Sequence, residues 1–106
     1  MTIPADDDAV VDDTAGSRFV VREGGAEAEL LYVMEGDRML LVHTEVPTTW
    51  GGRGIGGRLV RAALDRARAN SLTVVPWCPF ARRWLQEHPD DAAAVTIDWK
   101  TPRPSF

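Results

Sequence analysis

The chain has 106 residues, enough for one domain, and its 44% apolar and 26% charged content is that of an ordinary globular protein. No run of about 18 apolar residues exists to span a membrane, and the single cysteine, Cys78, excludes a disulfide framework or a multi-cysteine zinc site. The net charge of −4 comes from one place: five aspartates lie between Asp6 and Asp13, and the remainder carries 12 basic and 11 acidic residues. That balance gives no reason to expect a nucleic-acid partner.

Residues 1–16 read as a disordered acidic leader ahead of a domain at 17–106, because they hold few large apolar side chains. They lack the basic and apolar regions of a signal peptide, which predicts a cytoplasmic protein. "SRFVVREGG" from Ser17 reads as a strand and turn, and Ala26–Met34 as a strand with Glu27 and Glu29 on one face and Ala28 and Leu30 on the other. "EGD" at 35–37 is turn chemistry, and Arg38–Val46 follows as the second arm of an antiparallel hairpin that Pro47 ends.

Five glycines then fall within seven positions, Gly51 to Gly57, before the chain turns helical. Leu59, Val60, Ala63, Leu64 and Ala67 make one apolar face of a helix from Gly57 to Ala69, with Asn70 as a left-handed stop. Leu72–Trp77 reads as a short buried strand, Pro79–Glu87 as a helix with proline in its first position, and Ala93–Trp99 as a last strand, with Pro89 ending the second helix. The fold class is α/β or α+β, with strand, loop, helix and strand joining two parallel strands of a mixed sheet.

A glycine-rich loop between strand and helix brings backbone N–H groups and the positive helix end close to a ligand, which suits phosphate. Arg53 and Arg58 add cations that are unfavourable there unless an anion binds. Alternatively the glycines only form a tight turn, though one or two would serve that purpose. The dinucleotide pattern Gly52-x-Gly54-x-x-Gly57 is matched literally, but the next strand ends in Val75-Pro76-Trp77-Cys78 with no acidic residue to hold a ribose. A P-loop requires Gly-Lys-Ser/Thr, and Gly57-Arg58-Leu59 fails it.

His43-Thr44-Glu45-Val46-Pro47, Gly52-Arg53-Gly54-Ile55-Gly56, Pro76-x-Cys78 and His88-Pro89 together resemble the small YjdJ-like branch of the GNAT superfamily of acetyl-CoA-dependent N-acetyltransferases, over His43 to Asp90. The pyrophosphate pattern of that superfamily, Gln/Arg-x-x-Gly-x-Gly/Ala, is met at Gly54-Ile55-Gly56, with Gly51 at the Gln/Arg position. The resemblance implies a minimal GNAT-like fold. It implies acetyl transfer to an amine of a small molecule or protein. It further implies a pyrophosphate site at Gly52, Arg53, Gly54, Ile55, Gly56, Gly57 and Arg58, and a pantetheine arm running past Glu45 and Val46 where two parallel strands splay apart.

The tyrosine that often serves as general acid in that superfamily has no counterpart, since Tyr32 lies in an early strand. Cys78, at a helix N-cap, is either a small buried hydrophobe or a thiol that protonates the leaving CoA or accepts the acetyl group. His43 and Glu45 share a strand face, and each is a candidate base; a parallel neighbour ending in Cys78 would bring His43 to the thiol. The spacing of His43, His88 and Cys78 supports no metal site. The rival to an enzyme is a non-catalytic acetyl-CoA or CoA-binding module acting through a protein partner.

Overall fold

The computed structural model describes residues 10–104. In chain order the elements are β1 (Val11–Asp13), β2 (Arg18–Glu23), β3 (Ala26–Glu35), β4 (Arg38–Glu45), a 3₁₀ turn (Thr48–Trp50), α1 (Ile55–Ala69), β5 (Thr73–Pro76), α2 (Pro79–Glu87), α3 (Pro89–Ala92) and β6 (Thr96–Ile97). The described strands form one sheet in sequence order, antiparallel from β1 to β4 and parallel from β4 to β6. This is the mixed α/β arrangement expected, with α1 as the crossover between the parallel pair. Among the described residues no helix is long and apolar enough to cross a membrane.

Alternation sets the core. Phe19, Val21, Ala28, Leu30, Tyr32, Met39, Leu41 and Val74 point to one face and are buried beneath α1 and α2. Helix α1 answers with Leu59, Val60, Ala63, Leu64 and Ala67, the stripe that the 3.6-residue period predicts. On the opposite face Leu40 is buried alongside Trp77, and the segment after β6 crosses nearby: Arg38 pairs with Asp98 at 2.6 Å, and the Trp77 indole N–H donates to the Thr101 carbonyl at 2.9 Å.

Several expectations are corrected. Residues 10–16 of the leader are not a loose tail: Val11–Asp13 pairs with β2, and Asp12 accepts hydrogen bonds from the Tyr32 hydroxyl (2.8 Å) and Arg66 (3.1 Å). Residues 1–9 of that leader lie outside the described residues. Helix α1 begins two residues early, at Ile55. Asn70 is not its left-handed stop; Ser71, at φ 55°, takes that conformation, and the Leu72 N–H reaches back to the Ala67 carbonyl at 2.8 Å. Pro89 does not only end α2 but opens the short α3, and the last strand shrinks to Thr96–Ile97.

Candidate active site

Strand β4 carries a bulge. Leu31 of β3 opposes His43 and Tyr32 opposes Leu41, so Val42 is an extra residue on β4. One extra residue reverses the alternation beyond it. Met39 and Leu41 face the helices, yet His43 and Glu45 face the opposite side, and Thr44 turns inward with Leu30. The parallel ladder with β5 stops at the same point, at Leu41 and Pro76, where the Cys78 N–H closes the pair onto the Leu41 carbonyl at 2.8 Å. Beyond it β4 continues to Glu45 without β5 beside it, which is the splay expected of the two parallel strands.

The bulge decides which residues meet. Cys78 is the N-cap residue of α2, with β-region backbone angles, and only 2% exposed. Its Sγ lies 3.2 Å from the Thr44 Oγ1, not beside His43. His43 Nε2 lies 3.0 Å from Glu45 Oε1 on the exposed face, so these two share a face as expected. The anticipated Cys78–His43 couple does not form, because the sheet stands between them. Tyr32 is also committed elsewhere: its hydroxyl donates to Asp12 and accepts from Arg66 at 2.6 Å, and burial first, with the Asp12 bond second, pushes its pKa upward.

The glycine loop divides into two functions. Gly52 (φ 83°) and Gly54 (φ 72°) hold left-handed backbone that other residues resist. Gly54 is the N-cap of α1; among the described residues no side-chain cap hydrogen bond is made there, and the first turn of the helix holds no acidic residue. The first helical bond runs from the Arg58 N–H to the Gly54 carbonyl at 3.1 Å, so the N–H groups of Ile55, Gly56 and Gly57 precede the ladder. Those three residues are buried. Gly56 and Gly57 are bare for a further reason: a Cβ on Gly56 would sit 2.6 Å from the Phe80 ring, and one on Gly57 would sit 2.6 Å from Trp84 Nε1. Helix α2 therefore packs its aromatic side chains directly onto the start of α1, which the phosphate reading of all five glycines missed. The signal was present, since Gly56 continues the stripe of Val60 and Ala63 at helical spacing.

Between these helix ends lies a cleft of about 440 Å³ lined by Val46, Trp50, Gly54, Ile55, Phe80 and Trp84 among others. It runs from the end of β4 to the glycine-rich start of α1. Arg53 does not point into it alone: the guanidinium forms a two-pronged pair with Glu23 at 2.6 and 3.1 Å, holding the Glu23 carboxyl below its usual range, and covers the Trp50 ring at 5.4 Å. Arg58 is exposed and lines a neighbouring cleft with Arg53 and Arg61. Arg82, on α2, donates to the Trp99 carbonyl at 3.0 Å.

The chain matches the model of the GCN5-related N-acetyl-transferase family over residues 18–95. It is 39% identical over 75 residues to Protein NATD1 of Gallus gallus, spanning 68% of each chain, and 34% identical over 89 residues to Protein NATD1 of Xenopus tropicalis, spanning 81% of this chain and 82% of that one. Its fold is similar to the NMR solution structure of a GCN5-like protein from Staphylococcus aureus, with a TM-score of 0.68 at 24% identity, over 89% of this chain and 93% of that one. The family model spans all the elements from β2 to α3, including the bulged strand, the glycine loop and the Cys78 cap, and the chain belongs to the GCN5-related N-acetyl-transferase family.

Proposed function

We propose that this protein moves an acetyl group from acetyl-CoA to a primary amine of a small molecule or protein side chain. The observation that carries the reading is one cleft that reaches from Val46, just past the end of β4 where its pairing with β5 has stopped, to the glycine-rich N-terminus of α1. First-turn N–H groups on buried residues call for an acceptor, and a pyrophosphate supplies charged oxygens. The residues fit that group: Gly54, Ile55, Gly56 and Gly57 hold phosphate through backbone N–H groups, while Val46 and Phe80 line the path toward the splay. Arg53 and Arg58 add charge beside it.

The thioester supplies the acyl group. The chain's own residues divide the proton work between the two faces of the sheet. On the open face Glu45 accepts from His43 Nε2–H, which leaves Nδ1 with its lone pair to take the proton from the attacking amine. On the helix face Cys78 and Thr44, joined across the splay, hold a proton for the departing thiolate. Separate faces suit this chemistry, because the amine adds to the carbonyl carbon from one side, giving its proton to the base as the C–N bond forms, while the C–S bond breaks and the thiolate departs on the other. Release of free CoA from acetyl-CoA, scored over a panel of amines for wild type, H43A and C78A, tests the reading.

The second reading is a non-catalytic acetyl-CoA or CoA-binding module acting through a protein partner. The engagement of Tyr32 with Asp12 and Arg66, and the separation of His43 from Cys78, favour it. Acetyl-CoA binding with no turnover on any amine selects this reading over the first.

A further inference from the structure

We infer that the acceptor of the acetyl group is a free α-amino acid with an apolar side chain, bound on the open face of the sheet with its carboxylate on Arg103 and its amine at His43. The inference rests on the acetyl-transfer reading above and names the substrate class of that site. A groove of about 260 Å³ lies on this face, lined by Val33, Leu40, Val42 and Trp77, with Glu35 and Arg103 as its charged residues. Register fixes its place. Val33 opposes Leu40, and Leu31, two residues back along β3, opposes His43. The groove and the His43–Glu45 pair are therefore neighbours on one face, roughly 7 Å apart along the strand. Beyond Leu41 no β5 pairing closes β4, and Val46 lines the cofactor cleft on the other side of that gap.

Burial and charge select the occupant. Leu40 is the floor of the groove at 2% exposed, while Val33 is left 46% exposed, an apolar wall that a hydrocarbon side chain covers. The Trp77 indole N–H is already given to the Thr101 carbonyl at 2.9 Å, so its ring is an apolar wall too. Arg103 stands apart. Among the described residues its one hydrogen bond is a long one, from Nη1 to the Val42 carbonyl at 3.4 Å, and it forms no ion pair. That bond holds the guanidinium against the residue before His43. A guanidinium takes a carboxylate through two parallel hydrogen bonds. An α-amino acid carries amine and carboxylate on one carbon, so a carboxylate anchored at Arg103 leaves the amine beside His43 and the side chain over Val33 and Leu40. A protein lysine has no carboxylate beside its amine and gives Arg103 nothing to hold. Glu35 repels an acidic side chain from the same groove. In the transfer the amine nitrogen bonds to the acetyl carbon as the C–S bond breaks. Its proton goes to His43, the thiolate takes one from the Cys78–Thr44 pair, and exchange with water resets both. The products are an N-acetyl amino acid and CoA.

The test titrates L-leucine, leucinamide, 3-methylbutylamine and L-aspartate into wild type, R103Q and the control R83Q, which removes an exposed cation from α2 on the other face. Methyl resonances of Val33, Leu40 and Val42 report binding, and CoA release from acetyl-CoA reports turnover. Leucine should move these resonances, and R103Q should weaken its binding about tenfold while R83Q stays within about twofold of wild type. Leucinamide and aspartate should bind wild type more weakly than leucine does. The amine without a carboxylate should bind wild type and R103Q alike, which shows the variant groove intact. In turnover R103Q should raise the leucine KM by about the same tenfold factor and leave kcat within about twofold. Equal leucine binding by wild type and R103Q overturns the inference, as does leucinamide binding as tightly as leucine. Resonances unmoved by all four compounds overturn the site. Acetylation of other amines with none of leucine overturns the inference and leaves acetyl transfer standing. If leucine binds and no amine is acetylated, the acetyl-transfer reading fails and takes the acceptor role with it.

Discussion

Replacing Gly57 with alanine separates two reasons for a bare backbone. A Cβ at Gly57 would lie 2.6 Å from Trp84 Nε1 and 3.3 Å from its Cε2, so the indole must retreat by about 1 Å to reach ordinary van der Waals contact. It has little room to do so. Trp84 is 8% exposed, stacked on His88 at 3.8 Å and covered by Arg61 at 5.1 Å. Overpacking of this kind costs about 1–3 kcal/mol. Alanine recovers about 0.5–1 kcal/mol through helix propensity. Taken at the middle of both ranges, the expected net loss is about 1 kcal/mol, or roughly 4–8 °C in Tm for a domain of this size. Gly56 is the internal comparison: its Cβ also meets a ring at 2.6 Å, but Phe80 is 44% exposed and free to swing outward, so G56A should fall within about 0.5 kcal/mol of wild type. Thermal and urea unfolding followed by circular dichroism measure both. A G57A protein as stable as wild type, or more so, refutes the close-packing argument and returns Gly57 to the ligand alone.

Three further outcomes follow from the same contacts. Y32F removes a hydroxyl bonded to Asp12 and Arg66, and should cost about 1 kcal/mol of stability with turnover unchanged; a tenfold loss of kcat would make Tyr32 part of the chemistry instead. C78A should lower kcat at least tenfold while the acetyl-CoA Kd stays within twofold, and unchanged kcat would reduce the thiol to packing. The carboxyls of Asp13, Glu23, Glu27 and Asp98 are all held below their ordinary range, by the Gly16 N–H and Arg18 at Asp13, by Arg53 at Glu23, by Arg22 and Arg18 at Glu27, and by Arg38 and Thr101 at Asp98. Lowered carboxyl pKa values stabilise the fold above about pH 4, and that contribution is lost as pH falls through the lowered values. The stability gap between wild type and D98N should therefore narrow as pH drops from 5 to 2, and a constant gap contradicts the ion-pair account.

Much of the architecture was legible because it rests on periodicity. The buried stripe of α1, the β3–β4 hairpin and the bounds of α2 all repeat signals carried by neighbouring residues. What was not legible depends on distant partners. Strand β1 has one large apolar residue in three, and it is held by Asp12 reaching Tyr32 and Arg66, 20 and 54 residues away. The bulge at Val42 leaves no mark in composition, yet it turns His43 away from Cys78 and places Thr44 there instead. Simple alternation from Met39 and Leu41 puts His43 on the wrong face. The glycine loop between strand and helix was legible, and the close packing of Phe80 on Gly56 and of Trp84 on Gly57 was not, since both partners lie on α2.

The central claim is that the glycine-rich start of α1 and the β4–β5 splay form one cofactor site. Calorimetric titration of the purified protein with acetyl-CoA, with CoA and NAD as comparators, tests it most directly. The account predicts saturable 1:1 binding of acetyl-CoA and CoA and none of NAD. Heats indistinguishable from dilution for both CoA forms would contradict it, and would leave the glycines to the packing of α2 alone.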